Sequence, residues 1–255
     1  MPESAAVALP GPDDIHVWYA EADVSPRAIA AADALLGADE RARAGRFVRT
    51  TDRARFVAAH AMQRIVLGGY LGVGPDRLEF ERGDHSKPKL AGDPAACALA
   101  FNLSHSGNRV LVAVSGGEAV GVDIEELRAD IDVPALARLV FSPAELGALL
   151  EQTGEAQRTL FFRTWVRKEA VLKAIGLGFS AEPKDISVGY PYTGADGALP
   201  VDTGGRPGTW GVRDVPGLVG CLAAVAAPGS GWKLRCYDWI RRQEPKPELS
   251  ATVRP

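Results

Sequence analysis

The sequence has few features of a disulfide-linked, secreted or membrane-spanning protein. Its three cysteines, Cys97, Cys221 and Cys236, are odd in number and widely spaced. They form neither a disulfide framework nor a Cys-x-x-Cys metal site, and buried free thiols are expected. No run approaches about 20 apolar residues, the length of a transmembrane helix, and the start MPESAAVALPGPDD lacks the pattern of a secretory signal. These absences predict a cytoplasmic protein with no membrane partner.

The sequence also has little excess charge. Its 255 residues carry a net charge of −3, with 46% hydrophobic and 24% charged residues. These proportions are ordinary for a globular protein with a sizeable core. A chain so close to neutral is not expected to bind nucleic acid in general. The four histidines, His16, His60, His85 and His105, show no ligand spacing such as HxxxH, so zinc is not expected.

Apolar periodicity divides the chain into two halves with similar elements. In the first half it predicts helices over 25–37 and 52–71, and strands over 15–20, 77–83, 96–104, 109–116 and 119–125, the last three forming an antiparallel meander. In the second half it predicts helices over 133–140, 143–152 and 155–175, and strands over 185–190, 208–214, 218–227 and 232–239.

This pattern predicts an α+β fold of two subdomains, 15–125 and 126–240, between flexible tails at 1–14 and 241–255. A ligand site between the two halves is expected.

The segment GVDIEE places two carboxylates close together on a predicted strand. Asp123 and Glu125 are two residues apart and share one face, whereas Val122 and Ile124 face the core. Paired carboxylates suit a hard divalent cation. Magnesium is the natural choice, because it combines a few carboxylates with substrate phosphates and water. An ordinary solvent-exposed acidic strand end is the alternative.

The segment WVRKEAVLKAIG aligns three side chains on one face of a predicted helix. Trp165, Glu169 and Lys173 follow each other at steps of four residues. The glutamate can hold a metal or accept a proton, and the lysine can neutralise a phosphate. The alternative is a surface Glu–Lys pair worth only about 0.3 kcal/mol, with the tryptophan in ordinary core or interface packing.

Three further segments offer groups that suit phosphate. Ser104 and His105 lie in the turn NLSHSG, which has no GxSxG elbow and so does not favour a Ser–His hydrolase. Lys87, before Pro88, can present a point charge. A basic patch can bind nucleotide phosphates or an acidic partner protein; it contains Arg41, Arg43, Arg46, Arg49, Arg53 and Arg55. A surface turn, a solvating lysine and a solvated helix face are the respective alternatives.

The order of these segments resembles a known enzyme family. The succession KP, NLSHSG, GVDIE and, about forty residues later, WVRKEAVLKAIGLG is similar to the surfactin-synthetase-activating type of phosphopantetheinyl transferase, over roughly residues 15–235. The Trp and KEA form resembles the branch that commonly serves nonribosomal peptide and polyketide synthases. The resemblance implies a pseudo-twofold monomer of two similar α+β halves. Each half is an antiparallel sheet packed with a long helix, and coenzyme A lies in the cleft between them.

The resemblance also implies roles for individual residues. It assigns the metal ligands, for Mg²⁺ or alternatively Mn²⁺, to Asp123, Glu125 and Glu169, and it places Lys173 near the pyrophosphate. The other positions that it assigns to coenzyme A are Arg43, Arg55, Lys87, Ser104 and His105. Relatives often carry a second lysine before the first of these arginines, where this chain has Glu40.

The activity implied is transfer of 4′-phosphopantetheine from coenzyme A to a serine of an acyl or peptidyl carrier protein, with release of adenosine 3′,5′-bisphosphate. In the expected mechanism Glu169 removes the serine proton, and Asp123 helps to hold the metal. Lys173 offsets charge on the pyrophosphate, and Arg55 holds the 3′-phosphate. Two alternatives stay open: a magnesium-dependent nucleotide pyrophosphohydrolase, and a non-catalytic module that binds carrier proteins.

Overall fold

The computed structural model describes residues 8–82, 87–92, 98–117, 119–176, 182–188, 199–205 and 208–239. Most of the predicted tails lie outside this part of the chain, namely residues 1–7 and 241–255. His85, Cys97 and the last two residues of the strand predicted over 185–190 also lie outside it.

The described residues form six α-helices, two single-turn 3-10 helices at Pro75–Arg77 and Pro183–Asp185, and ten strands. The helices are α1 (Pro26–Asp33), α2 (Ala38–Ala44), α3 (Thr50–Leu71), α4 (Val133–Val140), α5 (Pro143–Leu150) and α6 (Gly154–Ile175). The strands are β1 (Asp14–Glu21), β2 (Phe80–Arg82), β3 (Pro88–Leu90), β4 (Ala100–Ser106), β5 (Arg109–Ser115), β6 (Gly121–Glu126), β7 (Leu199–Val201), β8 (Trp210–Asp214), β9 (Cys221–Pro228) and β10 (Lys233–Asp238). The predicted α+β class is confirmed.

Local sequence explains where the helices end. Both long helices, α3 and α6, have 22 residues and stop at a left-handed glycine, Gly72 with φ 65° and Gly176 with φ 77°. Glycine adopts this conformation without the steric cost that a Cβ imposes. At the start of α5, Ser142 and Glu145 form a reciprocal capping box. These signals are local, so the helices of the second half lie where the sequence predicts them.

The strands form two four-stranded sheets and one two-stranded sheet. The first sheet has the order β10-β1-β5-β4 and the second has the order β6-β9-β8-β7, while β2 pairs with β3. The two larger sheets lie face to face, because one apolar cluster contains residues of β1 and β5 together with residues of β6 and β9. A second cluster packs α3 on the outer face of the first sheet, and a third packs α6 on the second sheet. The layers are therefore α3, first sheet, second sheet and α6.

The predicted meander is wrong in its third strand. β4 and β5 form the expected antiparallel hairpin, but β6 leaves that sheet and pairs antiparallel with β9, with Val122 opposite Val225. The physical reason is burial on both faces. One face of β6 enters the cluster between the sheets, and the other lies against α6. Alternation of apolar residues predicts a strand here, but it determines neither the partner strand nor the sheet that the strand joins.

A second difference concerns the strand that closes the first sheet. β10 pairs with β1, and this pairing is parallel, whereas only antiparallel pairings were expected. Strand pairing therefore crosses the predicted boundary at 125/126, since β6 and β10 each join the sheet of the other half. The division into two subdomains and their pseudo-twofold relation stay predictions.

Shorter elements account for the remaining differences. The helix predicted over 25–37 ends at Asp33, and α2 follows as a separate helix too short to show periodicity. The short strands β3 and β7 were not predicted. Of the strand predicted over 185–190, the described residues contain a single bridge between Ser187 and Asp202. Within the described residues no helix is both long and apolar enough to cross a membrane.

Candidate active site

Along one side of the two face-to-face sheets, the edge strands β4 and β6 contact each other through side chains. Each of these strands is the last in its sheet. Ser104 Oγ donates to Oδ1 of Asp123 over 2.9 Å, and Ser106 Oγ donates to Oε2 of Glu125 over 2.8 Å. Serines two residues apart on one strand therefore face carboxylates two residues apart on the other. We call this junction, residues 102–106 with 122–126, the seam.

The last turn of α6 brings an ammonium group to the seam. Lys173 Nζ lies 2.6 Å from Asp123 Oδ1, 3.1 Å from Ser104 Oγ and 3.2 Å from the carbonyl oxygen of Val122. The structure thus brings together three residues that the sequence analysis selected from three separate segments. Their contacts are short enough for charge-assisted hydrogen bonds.

A glycine allows the helix to come this close to the strand. At Gly121, the first residue of β6, a Cβ would lie 2.0 Å from the carbonyl oxygen of Ala170 and 2.4 Å from the nitrogen of Ala174. Real Cβ atoms do not approach backbone to these distances, so only glycine fits here without a shift of α6. The position of Lys173 over Asp123 therefore depends on the glycine that opens GVDIEE.

The predicted orientation of the acidic pair is confirmed. Val122 and Ile124 lie in the core between the sheets, and Asp123 and Glu125 contact the serines of β4 on the opposite face. Asp123 is buried, with a relative exposure of 5%. Its Oδ2 atom is buried and has no hydrogen-bond partner among the described residues. One oxygen of this carboxylate is thus engaged and the other is not.

The three carboxylates near α6 share one electrostatic environment. Burial raises the pKa of Asp123, against the opposing charge of Lys173. Burial also raises the pKa of Glu125, and the negative charge of Asp123 adds to it. Burial and the charge of Asp123 together raise the pKa of Glu169. Burial is the main cause of all three shifts, and the negative charge of Asp123 adds to it at Glu125 and Glu169.

These residues fit a hard cation that completes its ligand shell from elsewhere. Among the described residues, no group of three or more His, Cys, Asp or Glu side chains is arranged so that it could hold a metal ion on its own. Magnesium does not need one, since it is commonly held by one or two carboxylates together with substrate phosphates and water. The unpartnered Oδ2 of Asp123 and the oxygen-only donors around it are the features that suit such an ion.

A cavity of about 1080 Å³ opens on the other side of β4. Its lining comes entirely from residues 37–105, so it lies in the first half of the chain and not between the halves as expected. Leu103 and His105 of β4 reach it, whereas their neighbour Ser104 turns to the seam. Asn102 of the same strand lines the cavity and also contacts Val122 at the seam, so the two regions adjoin along β4.

One wall of the cavity is a stack of flat side chains. The ring of His60 lies on that of Phe56 with centroids 3.8 Å apart, and Phe47 packs 5.2 Å from Phe56. The guanidinium of Arg43 lies 5.2 Å from the centre of the same phenyl ring. Burial lowers the pKa of His60 to about 4, so this imidazole is neutral at physiological pH. The wall combines an apolar surface with one fixed positive charge.

The two predicted basic residues on α2 and α3 have different environments. Arg43 lines the cavity. Arg55 does not: its Nε donates to Oδ1 of Asn108 over 3.2 Å, in the turn between β4 and β5. Burial lowers the pKa of His105, and the positive charges of Lys173 and then Arg55 add to this effect. Arg55 is therefore near the cavity end that His105 lines.

Lys87 has a structural partner that its sequence did not suggest. Its Nζ donates to the carbonyl oxygens of Val120 and Lys173, each over 2.9 Å. The ammonium therefore joins the start of β6 to the end of α6. There it also interacts favourably with the partial negative charge at the C-terminal end of the helix. Burial lowers the pKa of Lys87 to about 8. Two of its three donors are committed to backbone.

The glutamate found where relatives often carry lysine also has a structural role. Glu40 is buried and accepts from the backbone nitrogen of Gly37 over 2.8 Å, at the start of α2. Its Oε2 also lies 2.6 Å from Nε of Arg64, and both side chains are shielded from solvent. Glu40 therefore neutralises a buried arginine next to the cavity.

Sequence reasoning missed two residues of the seam. Asn102 accepts from the backbone nitrogen of Val122 over 2.8 Å, and Ser106 accepts from that of Glu126 over 3.1 Å. Ser106 could have been found, because its spacing from Ser104 repeats the spacing of the two carboxylates. No local signal marks Asn102, because its role depends on which strand lies beside β4.

Comparisons with known proteins agree with the motifs. Residues 119–202 match the family described as the 4′-phosphopantetheinyl transferase superfamily. Residues 23–116 match the family described as 4′-phosphopantetheinyl transferase, N-terminal.

Individual relatives carry the same description. The chain is 37% identical to the 4′-phosphopantetheinyl transferase HetI of Nostoc sp. over 227 residues, which cover 89% of this chain and 93% of that protein. It is 36% identical over 142 residues to the transferase psf-1 of Bacillus pumilus, covering 56% of this chain and 58% of that protein. It is 29% identical over 171 residues to the L-aminoadipate-semialdehyde dehydrogenase-phosphopantetheinyl transferase of Xenopus laevis, covering 60% and 57%.

Proposed function

The chain belongs to the 4′-phosphopantetheinyl transferase superfamily, and from this premise we propose how its residues transfer 4′-phosphopantetheine from coenzyme A to a serine of a carrier protein. The observation that carries the function is the 37% identity with a relative of that name, over 93% of the relative's length. The observation that supports the residue assignment is the contact of Asp123, Lys173 and Ser104 at the seam.

We propose that Asp123, Glu125 and Glu169 hold a divalent cation, with magnesium preferred and manganese able to replace it. Support comes from the unpartnered Oδ2 of Asp123 and from the raised pKa values of the three carboxylates. When bound, the ion supplies positive charge to the oxygens of the pyrophosphate. Carboxylate oxygens together with substrate phosphates are the kind of donor that magnesium commonly accepts.

The protein side chains then divide the chemistry between them. The hydroxyl oxygen of the carrier serine attacks the phosphorus that bears the pantetheine arm, and Glu169 accepts the hydroxyl proton. The bond from this phosphorus to the bridging oxygen breaks, and adenosine 3′,5′-bisphosphate leaves with that oxygen. Lys173 offsets the negative charge that develops on the leaving phosphate. The raised pKa of Glu169 suits a group that must take up a proton.

We propose that the cavity beside β4 receives the nucleotide end of coenzyme A. Arg43 and His105 line it, and Arg55 lies near its His105 end. In this proposal Arg55 holds the 3′-phosphate. Ser104 lies on the seam side of the same strand. A ligand that extends from the cavity around β4 would therefore bring its pyrophosphate close to Lys173. Lys87 supports this arrangement by fixing the backbone around Lys173.

Finer points of the assignment rest on the sequence. The segment WVRKEAVLKAIG supports membership of the W/KEA branch, the surfactin-synthetase-activating type that serves nonribosomal peptide and polyketide synthases. A monomeric state and a cytoplasmic location also stay predictions.

The test is intact-protein mass spectrometry of an apo carrier protein incubated with this enzyme, coenzyme A and magnesium, with and without a chelator. The expected result is a metal-dependent gain of one phosphopantetheine on the carrier. Consumption of coenzyme A with no gain on any of several peptidyl and acyl carriers would point to the pyrophosphohydrolase. Binding of carriers with neither gain nor consumption would point to the non-catalytic module.

A further inference from the structure

The contact between Lys173 and Asp123 places an ammonium group where a metal ligand is expected. The Lys173 Nζ lies 2.6 Å from Oδ1, and Ser104 Oγ donates to the same oxygen over 2.9 Å. Both donors therefore use one oxygen of Asp123, while Oδ2 has no partner among the described residues. One of the two carboxylate oxygens is therefore paired with a cation that belongs to the protein.

This ammonium and a divalent cation exclude each other at close range. Both are positive, and each is most stable against the oxygens of the same buried carboxylate. A cation that binds Asp123 while the ammonium stays at 2.6 Å would meet repulsion that surrounding protein screens poorly. Within the described part of the chain, the ammonium of Lys173 contacts Ser104, Val122 and Asp123, and of these only Asp123 carries a negative charge.

The side chain of Lys173 can leave without disturbing the fold. It is 29% exposed, against 7% for the side chain of Asp123. Its backbone is held independently, because Lys87 donates to the carbonyl oxygen of Lys173 over 2.9 Å. The flexible stem can therefore swing to a pyrophosphate while the helix end and the carboxylates keep their places.

We infer that Lys173 is an internal counter-ion that holds Asp123 until coenzyme A is bound, so that coenzyme A and the divalent cation bind cooperatively. The pyrophosphate attracts the Lys173 ammonium, which then leaves Asp123, and the carboxylate of Asp123 becomes available to the metal. This inference rests on the metal site of the proposed function. It assigns Lys173 a role before the reaction, in addition to its role toward the leaving group.

The test measures binding of Mn²⁺ by electron paramagnetic resonance, with and without coenzyme A and with no carrier protein. Wild type is expected to bind Mn²⁺ weakly alone and much more tightly with coenzyme A. Lys173→Met should bind Mn²⁺ alone at least about 10-fold more tightly than wild type, because no ammonium competes for the carboxylate. Lys173→Arg keeps a cation in place and should resemble wild type. Lys233→Met, which removes an exposed lysine of β10, is the matched control and should have no effect.

Salt and a second variant separate the competing explanations. A contact ion pair is screened little by salt, so the gain in Lys173→Met should persist between about 0.1 and 0.5 M salt, whereas a general field effect would fade. Asp123→Asn should abolish tight Mn²⁺ binding in either background. If it does not, the metal site itself is misassigned, and this inference fails with it. If Asp123→Asn abolishes binding but Lys173→Met binds Mn²⁺ no better than wild type, only the counter-ion role is wrong.

A measurement on the wild-type protein covers the case in which a variant does not fold. In a crystal structure with Mn²⁺ and coenzyme A, Nζ of Lys173 should lie more than about 4 Å from Asp123 Oδ1, beyond contact distance, and within hydrogen-bond distance of a pyrophosphate oxygen. An unchanged contact between Nζ and Oδ1 in that complex would overturn the inference.

Discussion

Glu145 and Lys168 form an ion pair of 2.7 Å in which both side chains are almost fully buried, at 1% and 0% exposure. Lys168 Nζ also donates to the carbonyl oxygens of Pro183 and Ile186, and Glu145 accepts from the backbone nitrogen of Val188 over 3.1 Å. The pair therefore ties α5, α6 and residues 182–188 together. Lys168 directly precedes the proposed catalytic Glu169, so the same pair fixes the rotation of α6.

Removing one partner of this pair should be costly. Lys168→Met leaves a buried carboxylate without its cation, which typically costs about 3–5 kcal/mol. The double variant with Glu145→Gln should recover part of this loss, because no buried charge stays unpaired. Urea unfolding followed by circular dichroism measures both. Strictly additive losses would show that the two side chains act independently.

Glu169→Gln should lower kcat for carrier modification by at least about 100-fold, because it removes the proposed proton acceptor. Coenzyme A binding, measured by calorimetry in the presence of a chelator so that no divalent cation contributes, should change little. Glu155→Gln makes the same substitution at an exposed position in the first turn of the same helix and should leave kcat unchanged. Turnover that survives in Glu169→Gln would remove this residue from the mechanism.

Gly121→Ala should destabilise the protein by about 3 kcal/mol or more, because the new methyl group would meet the backbone of α6 at Ala170 and Ala174. Gly69→Ala is the control. It lies within α3 with no atom within 4 Å of the added Cβ, and it should stabilise by roughly 0.5–1 kcal/mol. Thermal unfolding of the two variants tests the difference, and equal behaviour would argue against the close contact.

Arg43→Met should raise the KM for coenzyme A several-fold, since it removes the positive charge from the stacked wall of the cavity. The effect should be smaller with 3′-dephospho-coenzyme A if the lost interaction is with the 3′-phosphate. Arg27→Met, at an exposed position of α1, is the matched control. An equal rise in KM for both substrates would place Arg43 at another part of the ligand.

His16 should make stability depend on pH. Its Nδ1 lies 2.7 Å from the hydroxyl of Tyr70, which also accepts from Nε1 of Trp18, so the tyrosine proton is free to be donated to a neutral imidazole. Burial lowers the pKa of His16 to about 4 from an ordinary value of 6.5. Between those two values the unfolded chain binds the proton that the folded chain refuses. The contribution of His16 to the free energy of unfolding is therefore fully present above pH 6.5 and is lost as the pH falls toward 4.

The expected slope from one such histidine is up to about 1.4 kcal/mol per pH unit. His16→Gln should flatten the dependence in this window relative to wild type. The comparison between the two proteins is needed because the raised pKa values of Asp123 and Glu169 act in the opposite direction. Urea unfolding at pH 7, 6 and 5 gives both slopes, and identical slopes would contradict the assignment.

The sequence predicts best what neighbouring residues decide. The bounds of α4, α5 and α6 follow from caps that lie in the sequence itself, such as Ser142 before Pro143 and Gly176 after Ile175. The shared face of Asp123 and Glu125 follows from the two-residue period of a strand. Each of these features is set within a few residues along the chain.

What the sequence could not predict depends on contacts between distant segments. The strand period tells which side chains share a face but not which strand lies alongside, so the partner of β6 was wrong and Asn102 was missed. The meeting of Lys173 with Asp123 requires α6 to cross β6 at Gly121, which involves residues 50 apart. The resemblance to the family supplied this association in advance, and no periodicity in the chain did.

The parallel pairing of β1 with β10 has a consequence for folding during synthesis on the ribosome. Asp14 lies opposite Lys233, and Arg235 reaches back to Asp14 across 221 residues of chain. At about 5–20 residues per second, β1 waits many seconds with one edge open while the rest of the polypeptide is translated. An open edge is a site where strands of other chains can add. A chain truncated just before β10 would therefore be an almost complete protein that is prone to aggregate.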